Sequence, residues 1–279
     1  MDEFNPQVLK NLYVAPVGSH KGENGKVLII AGSKLFHAAS LWPLIVASRI
    51  VDMVFYSSVP ENNEIVKKEF RDGIIVPRDK IDDYINEADC ILIGPGLPRE
   101  EGVEEGDDDT KELTEGLLEK YTEKKWVIDG GSLQTIDPEV LPPTAIITPH
   151  AREFEMIKVK SQKSKVKSAI QNLKIEEQVK VFAQEYSCVV LLKGEKDIVS
   201  SPNEAVMVSG GNAGMTKGGT GDVLSGLVAS LYAKNDAFLS ACAASYINKK
   251  AGDSLFERVG PYFNASDLAS EIPKVMKGY

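Results

Sequence analysis

Short apolar runs alternate with stretches of helical spacing along the whole chain. Residues 27–31 are apolar and end in Gly32 and Ser33, which suits a strand buried on both faces of a parallel sheet. Residues 38–51 carry Leu41, Ile45 and Ala47 at helical spacing, and Pro43 fits a helix there only if it lies in the first turn. Further strands are predicted at 53–56, 90–93, 126–128, 145–147 and 188–192. Residues 111–120 read as a surface helix, and 175–186 as an amphipathic one with Val179 and Phe182 on one face. The runs 197–200 and 205–208, separated by Ser201-Pro202-Asn203-Glu204, predict a β-hairpin. Three helices close the chain, over about 221–233, 237–252 and 265–276. This order predicts an α/β fold in one domain over 1–279, with a mostly parallel central sheet and helices on both faces.

In such folds ligands bind outside the carboxyl ends of the strands. Small and polar residues collect at five of the predicted ends: Gly32-Ser33, 94–96, 129–131, 148–150 and Lys193-Gly194. One loop of this composition is ordinary strand-to-helix punctuation. Five together define a functional rim. Residues 100–110, dense in Asp, Glu and Gly, read as a flexible acidic loop, and 158–174 as a polar stretch that is partly helical.

Composition narrows the partners. With 279 residues, 43% of them hydrophobic, the chain can bury a core without disulfide staples. Its net charge of -9 argues against nucleic acid, and the one basic stretch, 158–167, reads as a solvated loop or helix face. Cys90, Cys188 and Cys242 are far apart in apolar segments and are expected to be free and buried, as in a reducing compartment. No CxxC pair occurs, and His20, His37 and His150 are scattered, which excludes a zinc-type ligand pattern. The first ten residues are polar, and the apolar stretch 41–58 is broken by Arg49 and Asp52. Neither a signal peptide nor a membrane span is expected, and the predicted compartment is the cytoplasm.

The strongest motif runs from Ser209 to Asp222, with six glycines, and leads into the apolar helix of Val223, Leu224, Leu227, Val228 and Leu231. Glycines let backbone amides turn inward, and amides at a helix N-terminus have no intrahelical partners. With the helix dipole they make a phosphate or oxyanion site. A Walker A loop does not fit, because Lys217 precedes the glycines, and a dinucleotide fingerprint should follow the first strand. Asp222 is either a first-turn dipole partner or the base that accepts a proton from a hydroxyl attacking a phosphoryl group.

Gly218-Gly219-Thr220-Gly221-Asp222 followed by Val-Leu-Ser-Gly resembles the C-terminal signature of the ribokinase-like superfamily, and most closely that of the ADP- or ATP-dependent NAD(P)H-hydrate dehydratases. The segments 21–33, 94–97, 148–153 and 192–194 resemble that family's other signatures in the right order. The resemblance implies repair of NADH or NADPH hydrated at C6 of the nicotinamide ring, in its S epimer. ADP or ATP phosphorylates the ring hydroxyl with Mg2+ present, and phosphate then leaves. It further implies a homotetramer.

By position, the resemblance assigns substrate contacts to Ala39, Gly96, His150 and Asp222. It assigns nucleotide contacts to Lys193, Gly194, Glu195, Lys196, Asp197, Gly219, Thr220 and Gly221, and catalysis to Asp222. Glu153 is a candidate for organising metal and phosphate. Each has a plainer reading: helix packing for Ala39, a cap for His150, a first-turn acid for Glu153 and a solvated side chain for Lys193. The chain departs from the family's pattern at Ala38, at 48–53 (read as helix) and at Gly130-Gly131-Ser132. Beginning at the dehydratase region, it is expected to lack epimerase activity. Two other functions share the motifs: a kinase of a vitamin-precursor alcohol, and an adenine-nucleotide-binding protein without turnover.

Overall fold

The computed structural model describes residues 1–99 and 102–279. Ten strands form one sheet: β1 (Asp2–Glu3), β2 (Lys26–Ile30), β3 (Met53–Ser57), β4 (Ile74–Ile75), β5 (Cys90–Ile93), β6 (Lys125–Ile128), β7 (Ala145–Ile147), β8 (Val189–Leu192), β9 (Asp197–Ser200) and β10 (Ala205–Val208). Their spatial order is β1-β10-β9-β8-β7-β6-β5-β2-β3-β4. From β8 to β4 every pairing is parallel, and the β9–β10 hairpin continues the sheet antiparallel from β8. Eleven helices are α1 (Ala38–Ala47), α2 (Pro60–Glu69), α3 (Ile81–Glu87), α4 (Thr110–Lys120), α5 (Gly130–Thr135), α6 (Ala151–Lys160), α7 (Ser164–Asn172), α8 (Ile175–Tyr186), α9 (Thr220–Tyr232), α10 (Ala237–Val259) and α11 (Ala265–Met276) among the described residues.

Strand side chains alternate between two cores, as the pleat requires. Val27, Ile29, Leu92, Val127 and Ile146 pack with α1, α9, α10 and α11 on one face. Leu28, Ile30, Ile93, Trp126 and Ile147 pack with α3, α4, α6 and α8 on the other. Burial on both faces explains the unbroken apolar runs. The five strands whose ends carry small and polar residues, β2, β5, β6, β7 and β8, are consecutive in the sheet and parallel. Their carboxyl ends therefore lie side by side along one edge.

Several expectations need correction. Pro43 is not in the first turn of α1 but in its middle. It is accommodated because Gly226 of α9 faces it: a Cβ there would lie 2.5 Å from Pro43 Cα. Residues 48–52 form turns rather than helix, and Met53 already begins β3. Helix α10 does not stop at Gly252 but runs to Val259; a side chain at 252 would collide with Met215 Sδ at 2.3 Å. That glycine is a packing site, and the helix ends at Gly260, where φ is +61°.

The basic stretch is a solvated face only in part: Lys165 and Lys167 are exposed, whereas Lys158 is buried. Lys158 is 1% exposed, with its ammonium 2.6 Å from Glu155 and 4.7 Å from the centre of the Phe154 ring. Lys160 instead reaches the carbonyls of Gln134, Thr135 and Ile136 at the end of α5. Of the acidic loop, Glu100 and Glu101 lie outside the described residues. Its far end is anchored, with Asp107 accepting from the Lys34 amide at 3.0 Å and Asp108 pairing with Arg78. The three cysteines are free and buried, as expected. No helix among the described residues is long and apolar enough to cross a membrane.

In an ordinary helix Gly→Ala is stabilising by up to about 1 kcal/mol. The contact with Pro43 reverses that sign, and Gly226→Ala is expected to destabilise the protein by about 1–3 kcal/mol through overpacking. An unchanged or raised midpoint in equilibrium denaturation would contradict this packing.

Candidate active site

Helix α9 begins at the rim because Gly219 turns the chain into it. Gly219 has φ +92°, and a Cβ would meet the Trp42 ring at 2.5 Å, so both backbone and space require glycine. Thr220 donates its hydroxyl to the carbonyls of Met215 and Lys217 at 2.7 and 2.9 Å, which locks the loop against the first turn. The amides of Gly221 and Asp222 then lead the helix without intrahelical acceptors, beside the positive end of its dipole. Gly221 itself is not in the left-handed region. A Cβ there would make an ordinary contact, 3.4 Å from Lys193 Nζ.

Lys193 follows β8, and its ammonium meets two carboxyls. Nζ lies 2.8 Å from Asp129 Oδ1, at the end of β6, and 4.0 Å from Glu153 Oε2, at the start of α6. Burial works against the Lys193 charge, but Asp129, Glu153 and then Asp222 outweigh it and hold its pKa above the ordinary value. Asp222 experiences the opposite balance. Burial, then the negative charge of Asp129, push its carboxyl up to about 8; Lys193 opposes the shift and Glu153 adds to it. A half-buried acid in the first turn of α9 is thus poised near neutral pH rather than in the usual carboxylate range.

His150 is the N-cap of α6. Its Nδ1 accepts from the Glu153 amide at 3.2 Å, and Glu153 Oε2 accepts from the His150 amide at 2.9 Å. The capping reading holds for this residue. An accepting Nδ1 leaves the neutral ring's proton on Nε2, and the exposed ring borders the cavity. Glu153 is 3% exposed and also accepts from Gln134 at 3.0 Å.

Residues 194–197 form a clasp held from behind. Asp197 accepts from the Gly194 amide at 2.9 Å and from Ser245 at 2.7 Å, and pairs with Lys249 at 3.2 Å. Lys249 also donates to the carbonyls of Gly194 and Glu195, each at 3.1 Å. Between this clasp, Gly210-Gly211 and the start of α9 lies a cavity of about 740 Å³, which His150, Lys193, Gly194, Glu195, Asp197, Thr220 and Gly221 border. Its size suits a small ligand such as a nucleotide. Lys196 is exposed and does not border it, and Gly219 faces Trp42 instead.

Ala39 and Gly96 meet each other away from this cavity. A Cβ on Gly96 would lie 2.6 Å from the Ala39 Cβ and 3.2 Å from Gly32 Cα. The pair closes the β2 and β5 ends of the rim, with Asp129 between them and the cavity along the sheet order. The departure at Gly130-Gly131 also has a steric cause: a Cβ on Gly131 would lie 2.2 Å from the Leu97 carbonyl oxygen.

Sequence reasoning did not single out Asp129 or Lys249. Asp129 was visible as the last polar residue of an apolar run, but its partner stands on β8, two strands away. Lys249 sits in an apolar helix, and only the packing of α10 under the clasp reveals its use. Among the described residues no group of three or more His, Cys, Asp or Glu side chains could hold a metal ion.

The acid's shift has a direct consequence for stability. The unfolded carboxyl ionises near 3.8, whereas in the fold Asp222 stays protonated up to about 8. Its contribution is therefore fully present below about 4 and is lost as pH rises toward 8. The melting temperature of Asp222→Asn is expected to gain on that of wild type as pH rises from about 5 to about 8. A constant difference across that range would contradict the shift.

A family model described as NAD(P)H-hydrate dehydratase matches residues 27–274. The chain is 36% identical over 282 residues to a bifunctional NAD(P)H-hydrate repair enzyme of Methanocaldococcus jannaschii, covering 96% of this chain and 51% of that protein. It thus spans about half the length of the bifunctional relatives it matches. It is 34% identical over 278 residues to an ADP-dependent (S)-NAD(P)H-hydrate dehydratase of Nitrosopumilus maritimus, covering 94% of this chain and 91% of that one. Among solved structures, a ribokinase-like superfamily protein from Enterococcus faecalis shares the fold at TM-score 0.82 and 19% identity, covering 100% and 96% of the two chains. An ADP/ATP-dependent NAD(P)H-hydrate dehydratase from Bacillus subtilis, co-crystallised with ATP/Mg2+, does so at TM-score 0.78 and 21% identity, covering 99% and 98%. With its ribokinase-like fold and this extent of match, the chain belongs to the NAD(P)H-hydrate dehydratase family.

Proposed function

We propose that the chain is an ADP-dependent dehydratase of NADH and NADPH hydrated at C6, acting on the S epimer, with its activity in a single domain over 1–279. The observation that carries this reading is Asp222: a carboxyl raised to about 8, at the glycine-lined start of α9 and facing the charge of Lys193. A carboxylate repels phosphate unless it has a task there, and a base with a pKa near the working pH is suited to taking a hydroxyl proton.

In the first step the ring hydroxyl attacks the terminal phosphorus of ADP. The new O–P bond forms as the bond to AMP breaks, and the hydroxyl proton passes to Asp222. Charge that builds on the transferring group meets the amides of Gly221 and Asp222 and the ammonium of Lys193, which Asp129 holds in reach. In the second step the ring nitrogen's lone pair expels phosphate from C6 and solvent water takes the proton that leaves C5, restoring the dihydropyridine, while Asp222 returns its proton to solvent. We assign Thr220 and Gly221 with the 193–197 clasp to the nucleotide. Within that clasp Asp197 acts by holding the turn, and Lys196 has no contact role. Gly219 shapes the loop, and Ala39, Gly96 and His150 are assigned to the substrate side.

Magnesium fits as an ion carried on the nucleotide's phosphates. Mg2+ keeps several waters and takes one or two carboxylates rather than an all-protein cage, in keeping with the donor set here. Glu153 would be the carboxylate to hold it, and the ion would neutralise phosphate charge. The assembly proposed is a homotetramer in the cytoplasm, and the three buried free cysteines suit that compartment.

Asp222→Asn tests the reading. The amide keeps the shape of the acid but cannot usefully take a proton. The variant is expected to fold, to bind ADP at least as well as wild type, and to lose turnover of hydrated NADH by roughly 10²–10⁴-fold. Retention of more than about a tenth of wild-type kcat, far outside that range, would rule out the mechanism. Accumulation of a stable phosphate ester by the wild-type protein would instead identify a kinase.

A further inference from the structure

Two aromatic rings bear on the glycine loop. The Phe263 ring occupies the place of a side chain at Gly214, where a Cβ would lie 2.4 Å from it. Lys217 ties the same segments together by donating to the carbonyls of Pro261 and Phe263. The second ring is that of Trp42, on α1. A Cβ on Gly219 would lie 2.5–2.7 Å from three atoms of its six-membered ring, so the indole rests against the Gly219 backbone itself. Gly219 is the left-handed residue, at φ +92°, from which α9 starts. Trp42 is fixed in turn: its Nε1 donates to Ser266 Oγ at 3.1 Å, in the first turn of α11.

The neighbours of Trp42 on α1 are packed as closely. Pro43 meets Gly226, two turns along α9, where a Cβ would lie 2.5 Å from Pro43 Cα. Ala39, one turn before Trp42, closes against Gly96. A glycine turn alone is conformationally permissive, and the amides that follow it aim at an anion only while it keeps one conformation. Donors already held in place cost no reorganisation when charge builds on a phosphoryl group. We infer that Trp42, anchored by Ser266, is a positioning residue: it holds the Gly219 turn so that the amides of Gly221 and Asp222 meet the terminal phosphate of the nucleotide. The inference rests on reading the start of α9 as the phosphate site. It adds α1 and α11 to a site otherwise built from strand ends, the glycine loop and α10. A ring that merely filled space between α1, α9 and α11 would support stability and leave phosphate binding alone.

The test uses direct binding, so its outcome is independent of turnover. AMP lacks the terminal phosphate of ADP, and the ratio of the two affinities isolates what the start of α9 contributes. Both nucleotides are titrated calorimetrically into wild type, Trp42→Leu and Ser266→Ala. Wild type is expected to prefer ADP by about tenfold, as for a charge-assisted hydrogen bond to one phosphate. Trp42→Leu should lose most of that preference, while its affinity for AMP stays within about twofold of wild type, as for contacts made elsewhere. Ser266→Ala, at an exposed position, frees the indole without removing it and should lose a smaller part of the preference. A lowered melting temperature with the ADP-to-AMP ratio intact would assign Trp42 to space filling and overturn the inference. Equal weakening of both nucleotides would overturn it too. Should Trp42→Leu be too unstable to titrate, Ser266→Ala decides: an unchanged ratio overturns the inference. Equal affinity of wild type for ADP and AMP would refute the phosphate site and the inference together. Loss of the preference in Trp42→Leu, when the wild-type protein fails to restore reduced nicotinamide, would uphold the role of Trp42 and refute the dehydratase reading.

Discussion

The rim depends on one buried lysine surrounded by acids. Lys193 stands at the end of a central strand, where burial alone would drive its proton off. Asp129 keeps it charged from β6 at 2.8 Å, and Glu153 assists from α6 at 4.0 Å. The same burial and the same Asp129 act on Asp222 in the opposite sense and keep its proton on. One cluster thus yields a permanent cation and a carboxyl near neutrality. Those are the two groups that phosphoryl transfer to a hydroxyl requires.

That cluster exists only because the backbone comes unusually close at the strand ends. A Cβ on Gly94 would lie 1.8 Å from the Asp129 carbonyl oxygen, and one on Gly32 would strike Ser40 Oγ at 2.2 Å. Both glycines have positive φ, at +119° and +78°. At Gly94 the rim is assembled backbone against backbone, beside Asp129, whereas Gly32 makes room for the side chains of Asn62, Ser40 and Tyr56. The clasp at 194–197 is fixed differently, by Asp197, Ser245 and Lys249 bonding it from below. Function at this edge depends on α10 as much as on the glycine loop.

Much of this was legible in the chain. Apolar runs at 90–93, 145–147, 197–200 and 205–208 coincide with β5, β7, β9 and β10, because buried strands and a tight hairpin leave local signatures. Helices α2, α3, α5 and α7 were not legible as separate elements, and of α6 only its start at His150 and Glu153 was. α2 buries Asn62 and Asn63 rather than an apolar stripe, and α5 opens on two glycines. The glycine loop was legible as the turn that starts a helix, with Asp222 in its first turn. The partnership of Asp129 with Lys193 was not, since 64 residues separate them and only the sheet order brings them together. Lys158 illustrates the reverse error: a basic run suggests solvent, but tertiary packing buried one lysine over Phe154.

The central claim is that Asp222 takes the hydroxyl proton and that Asp129 helps set when it can do so. Its most direct test is the pH dependence of kcat/KM for hydrated NADH with ADP, in wild type and in Asp129→Asn. In wild type the rate should rise with pH through an apparent pKa near 8, where the Asp222 carboxyl loses its proton. Removing the negative charge of Asp129 should move that limb to lower pH, even where the plateau falls because Lys193 is held less firmly. A limb that stays where it was, or a wild-type profile flat between about 5 and 8, would contradict the account.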